Sequence, residues 1–73
     1  MRNWSVYICD KNGVLCTGIT TDLEHRMRQH KARLLYFERH PDPHAAARRE
    51  KEIKGWRRDK KLRLINKNKV SLL

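Results

Sequence analysis

Two charged side chains stand where a small protein would be expected to place apolar ones. In the segment TTDLEHRMRQH, Leu23, Arg26, Met27 and His30 fall at i, i+3, i+4 and i+7, the spacing of one helix face. A guanidinium and an imidazole therefore lie on or beside the stripe that packs inward. Farther along, Ala46, Glu50 and Ile53 fall at i, i+4 and i+7, which turns a carboxylate inward as well. Burying a cation alone is expensive, so Arg26 must be paired or must receive an anion, and phosphate is the natural candidate. Glu50 admits two accounts: a salt bridge to Arg26 or another arginine, or a ligand for a hard divalent cation. Cys9 and Cys16, with His25, His30, His40 and His44, are zinc-ligand types, but their spacing fits no compact zinc pattern.

The elements that must position these groups are readable in outline. Trp4 to Cys9 alternates, DKNG follows, and Val14 to Ile19 alternates again, the pattern of a hairpin turning on Asn12-Gly13. That turn pairs Cys9 with Cys16 and Tyr7 with Gly18. Alternation then puts Trp4, Val6, Ile8, Leu15, Thr17 and Ile19 on one face and Tyr7, Cys9, Cys16 and Gly18 on the other. The spacing predicts a capping box with Thr21 as N-cap and Glu24 reaching back, opening a helix to about Lys31. RLLYFE, residues 33–38, reads as a third strand. A second helix is capped by Asp42 with Pro43 at its first position and ends near Gly55. Asp59 is expected to cap a third helix through about Ile65, leaving 66–73 as a tail.

Charge selects the partner class. The 73 residues carry 18 Lys and Arg against 8 Asp and Glu, a net +10, and such a balance favours a polyanion. Residues 48–69 hold eleven of the cations and only three of the anions, so the C-terminal half is the basic one. Nucleic acid, DNA first, is the expected partner. A membrane surface is disfavoured because the basic segment has no continuous apolar face to insert. The longest N-terminal apolar stretch, VYIC, is far shorter than the about 18 residues of a membrane span, so a single cytoplasmic domain with reduced thiols is expected. Stacking of RNA bases wants exposed aromatics on a sheet face, and the hairpin offers only Tyr7 on its polar side.

Taken in order, VYI, CTGI, an arginine ten residues after Cys16 and a glutamate on a later Ala-rich helix resemble the GIY-YIG nuclease domain. The small stand-alone bacterial members are the most similar, through TGITTDLEHRMRQH and AARREKEIK followed by a basic helix. The resemblance spans residues 3–65 of a single domain, 1–73. It implies an α+β fold of ββαβαα order, a three-stranded antiparallel sheet flanked by helices. It also implies a metal-dependent endonuclease acting on DNA phosphodiesters, the alternative being a basic domain that binds nucleic acid without cutting it.

By that resemblance Tyr7 helps deprotonate the attacking water, Arg26 stabilises charge on the phosphate, and His30 stands one turn after it. Glu50 holds one Mg²⁺ or Mn²⁺, and Gly18 leaves room for substrate. Cys16 occupies the place of the second-motif tyrosine. Near Arg26 it would act either as an electrostatically stabilised thiolate or as a shorter, poorer donor. Arg48, Arg49, Lys54, Arg57, Arg58, Lys60 and Lys61 are the expected nucleic-acid contacts. Between the first helix and third strand only Lys31-Ala32-Arg33 remains, where related domains carry a Gly/Arg/Tyr-bearing loop.

Overall fold

The computed structural model describes residues 3–70. Its order is β1 (Trp4–Lys11), β2 (Val14–Thr20), α1 (Leu23–His30), β3 (Arg33–His40), α2 (Pro43–Lys54) and α3 (Arg58–Val70). The strands form one antiparallel sheet in the order β2-β1-β3, the expected α+β fold.

The hairpin turns as its residues dictate. Asn12 (φ 55°) and Gly13 (φ 85°) both take positive φ, the requirement of the two-residue turn whose twist matches the flanking strands. Asp10 Oδ1 accepts from the Gly13 N–H at 2.8 Å. The resulting register pairs Tyr7 with Gly18 and Cys9 with Cys16. On the other side of β1, Tyr7 pairs with Phe37 and Ser5 with Arg39, and a bulge between Ile8 and Cys9 shifts the register so that Cys9 meets Leu34.

One sheet face carries the core. Val6 and Ile8 are fully buried with Ala46 and Ile53 of α2 and Ile65 of α3, and Trp4, Leu15, Ile19, Leu35, Tyr36 and Trp56 pack around them. Thr17 shares that face, and its hydroxyl is buried without a hydrogen-bond partner among the described residues. On the opposite face, Tyr7 and Cys9 are also buried. There Gly18 has its reason: an added Cβ would lie 2.5 Å from the Tyr7 hydroxyl, so the tyrosine lies across β2 only because no side chain stands beneath it.

Several boundaries differ from expectation. The N-cap of α1 is Asp22, not Thr21: Asp22 Oδ1 accepts from the His25 N–H at 3.1 Å, while Thr20 Oγ1 accepts from the Asp22 N–H. A carboxylate supplies both the acceptor and the negative charge a helix N-terminus favours, and so outcompetes the hydroxyl next to it. Helix α3 begins at Arg58, placing Asp59 inside its first turn rather than at its cap, and it continues through 66–70 where a tail was expected. Strand β3 extends two residues beyond Glu38, because Arg39 and His40 still find partners in Ser5 and Trp4. Helix α2 conforms: Asp42 caps it by accepting from Ala45 N–H at 2.8 Å, Pro43 stands in its first turn, and Gly55 follows its end.

Candidate functional site

The hairpin register brings the two thiols and the phenol onto one face. Tyr7, Cys9, Cys16, Lys11, His30 and Ala32 line a cavity of about 160 Å³ there. His30 reaches it from the last turn of α1, and Arg26 Nη1 lies 3.4 Å from His30 Nε2, so the guanidinium and the imidazole of consecutive turns meet beside it. Lys31 ends α1 in the left-handed conformation (φ 52°), its N–H directed to the carbonyls of Met27 and Arg28. The chain enters β3 immediately afterwards, and Lys31 and Ala32 alone join the two elements.

Electrostatics tie these groups together. Burial pushes the Tyr7 phenol up, Arg26 opposes that shift, and the nearby Cys9, Glu50 and Cys16 add to it. Tyr7 therefore carries its proton at neutral pH, and Arg26 is the neighbour that favours its release. Burial likewise pushes the Cys9 thiol up, with Cys16 beside it reinforcing the shift.

Glu50 is turned inward on α2 as its spacing predicts, with its side chain 21% exposed. Its ion-pair partner is Lys54, one turn on, at 3.4 Å, rather than an arginine. Among the described residues no three His, Cys, Asp or Glu side chains converge on one point, so neither a zinc site nor a ready-made carboxylate cage is present there. One partly buried carboxylate does suit a divalent ion that keeps its waters and completes its shell with substrate phosphate, the usual habit of Mg²⁺.

The expected nucleic-acid contacts divide. Arg48 and Arg57 are exposed and make no ion pair among the described residues. Arg58 Nη1 reaches the Gly13 carbonyl at 3.3 Å, tying α3 to the hairpin tip, and Lys60 Nζ lies 4.4 Å from the centre of the Trp56 ring. Lys61 is half-buried on α3, and Lys54 is held by Glu50. Arg49 is committed elsewhere: its Nε donates to both Glu38 oxygens, at 3.3 and 3.0 Å, its Nη1 pairs with Glu52, and its guanidinium lies 5.2 Å from the Trp56 ring.

That engagement belongs to a network the sequence reading missed. Tyr36 Oη donates to Glu38 at 2.5 Å, and His40 Nε2 lies 2.6 Å from the other carboxylate oxygen. Burial pushes Glu38 up, but the hydrogen bonds from Tyr36, His40 and Arg49 overcome it and hold the carboxyl below its usual range. Tyr36 is pushed up to about 12, by burial first and then by its bond to Glu38. The available signal was Tyr36-x-Glu38-x-His40, polar groups at a period of two on the core side of a strand.

Among solved structures, the chain is similar to the solution NMR structure of the UPF0213 protein BH0048 from Bacillus halodurans. The two are 32% identical, with a TM-score of 0.63 over 88% of this chain and 83% of that one. The chain belongs to the UPF0213 family. No family model matches it, and no curated protein does. The expectation drawn from the GIY-YIG resemblance is met at the level of the fold, a ββαβαα domain with the implied sheet.

Proposed function

We propose that this protein is a GIY-YIG-type endonuclease that uses one divalent ion to hydrolyse DNA phosphodiesters. The observation that carries the reading is the small cavity lined by Tyr7, Cys16 and His30, with Arg26 against His30 at 3.4 Å and both Arg26 and Glu50 among the charges that act on the Tyr7 phenol. Arg26 and His30 present donors from consecutive turns to the oxygens of an incoming phosphate, where charge develops in the transition state. Tyr7 positions the attacking water through its phenolic oxygen. It can accept a proton from that water only as the phenolate, its own proton having first passed to bulk solvent, an ionisation that Arg26 favours. Glu50 would hold the hydrated Mg²⁺ or Mn²⁺, releasing Lys54, and the ion when bound supplies Lewis acidity at a phosphate oxygen.

Cys16 supports a second reading. A thiol is shorter than a phenol and a weak donor, so the water at Tyr7 has one good partner fewer, and a domain that keeps the fold and the basic helices can bind nucleic acid without cutting it. The test is cleavage of end-labelled nicked, branched and single-stranded DNA with millimolar Mn²⁺ by wild type and by Glu50→Gln prepared identically. Cleavage by wild type that falls at least about 100-fold in Glu50→Gln is expected. Equal cleavage by both exposes a contaminant, and no cleavage by either leaves the binding domain.

A further inference from the structure

Among the described residues only two large apolar side chains are markedly exposed, Val14 at the hairpin tip and Phe37, 44% exposed, in β3. Phe37 is not on an indifferent surface. It is the direct cross-strand partner of Tyr7, which is the partner of Gly18, so glycine, phenol and phenyl form one row across the sheet on the face that carries the cavity. Directly opposed residues hold their Cβ atoms about 4.5–5.5 Å apart. A planar group lying on Phe37 is therefore within the reach of one nucleotide from a phosphate held beside Tyr7.

The surroundings select what that planar group is. Arg39, two residues along the same strand and on the same face, has its guanidinium carbon 5.9 Å from the Phe37 ring centre, the outer limit of a cation–π contact. It is exposed, makes no ion pair among the described residues, and lines a second hollow of about 280 Å³ with Asn3, Ser5, Thr21, Leu23 and Asp22, whose carboxylate is engaged as the N-cap of α1. An aromatic face with an arginine beside it, on a chain of net +10, is complementary to a base joined to phosphates. It is ill suited to another copy of this chain, because β3 is an edge strand and Arg33 and Arg39 would bring like charges together.

We infer that Phe37 is a stacking platform for an unpaired DNA base, seated beside the phosphate site of Tyr7 and Arg26, with Arg39 holding the adjoining phosphate. A base inside a duplex is already stacked on both sides and cannot take this place, so the substrate is DNA with at least one unpaired nucleotide at the site. This inference rests on the proposed function for its phosphate site and adds the residue that reads the base.

The test compares affinity for oligothymidylate with affinity for an abasic oligonucleotide of equal length, which keeps the phosphates and removes the bases. Wild type should prefer the thymidylate by about 5- to 100-fold, the range expected for stacking of one base. Phe37→Ala and Phe37→Leu should lose that preference while keeping wild-type affinity for the abasic strand, and Phe37→Tyr should retain it. Equal binding of both strands by wild type overturns the platform and leaves the phosphate site standing. Binding of neither overturns both. Full preference in Phe37→Leu shows a merely apolar patch, and a dimer that Phe37→Ala dissociates, without any base preference, shows that a second copy covers the ring; either result overturns the inference.

Discussion

Cys16 is where the chemistry of the site is most exposed to a single atom's identity. It lines the cavity with Tyr7 and His30, its thiol occupies the position of the second-motif tyrosine in the nuclease resemblance, and Cys9 packs beside it. If the thiol merely stands in for a lost phenol, Cys16→Tyr should raise Mn²⁺-dependent cleavage by about 10- to 100-fold, because a positioned proton-transfer partner is worth at least that, and Cys16→Ser should change little. A Cys16→Ser variant that loses cleavage, with alkylation of wild type having the same effect, would assign the role to a thiolate instead. The candidate groups stood out in the sequence because they break rules: a cation and an imidazole on a packing stripe, a carboxylate on another, a glycine in the middle of a strand. Of these His30 lines the cavity with Arg26 against it, although α1 buries none of its residues and His30 is exposed, while other breaks act through packing. Gly18 is the plainest, since it makes room for the Tyr7 hydroxyl. What the residues did not disclose is how each charge is balanced, and Glu50 pairs with Lys54 on its own helix, although the inward stripe suggested an arginine.

Helix α2 and strand β3 are joined by an ionic network that no local pattern announces. Glu38 and Arg49 lie eleven residues apart on different elements, and only the packing of α2 on the core face makes them neighbours. The strands, their register and the helix starts are set by alternation, turn residues and caps, which act over a few positions and are readable in sequence. Side-chain pairing across elements is set by docking, which is not. The choice between Thr21 and Asp22 as N-cap was open for a related reason, as both residue types are competent and charge decided. The network makes a prediction about acid stability. The folded-state pKa of Glu38 lies below its ordinary value, so the carboxylate contributes stability fully above the unfolded pKa near 4.5 and loses it as pH falls through the folded value. Glu38→Gln leaves Arg49 and His40 facing a neutral amide. It should cost about 1–3 kcal/mol at neutral pH, a Tm fall of several degrees by thermal circular dichroism, and the gap to wild type should close below the folded pKa. A gap that is constant with pH would mean that packing alone, and not the charge, is what Glu38 contributes.

Over the whole molecule, the net charge of +10 is what favours the proposed polyanionic partner. Arg48 is exposed on α2 and Arg57 in the connection to α3, Arg58 braces the hairpin tip, and no helix among the described residues is long and apolar enough to cross a membrane. Arg49 is withdrawn from that surface by Glu38 and Glu52, so the basic face is narrower than its sequence of cations suggests. The central claim is that this face delivers DNA to a site where Glu50 and a phosphate hold one divalent ion between them. A single protein carboxylate binds such an ion weakly by itself, so ion and DNA must strengthen each other's binding, and by linkage the effect is reciprocal. This reverses the ordinary behaviour of cations, which compete for phosphate and weaken DNA binding, with log K falling by about 0.9 per phosphate contact for each unit of log salt on a duplex. The direct measurement is DNA affinity by fluorescence anisotropy at fixed ionic strength, with and without millimolar Mn²⁺, for wild type and Glu50→Gln, and it reads the site whether or not Cys16 permits turnover. Affinity should fall with monovalent salt in both proteins, while Mn²⁺ should tighten binding about 10-fold in wild type and not in Glu50→Gln. Mn²⁺ that weakens both proteins alike, as added salt does, would contradict the shared metal–phosphate site.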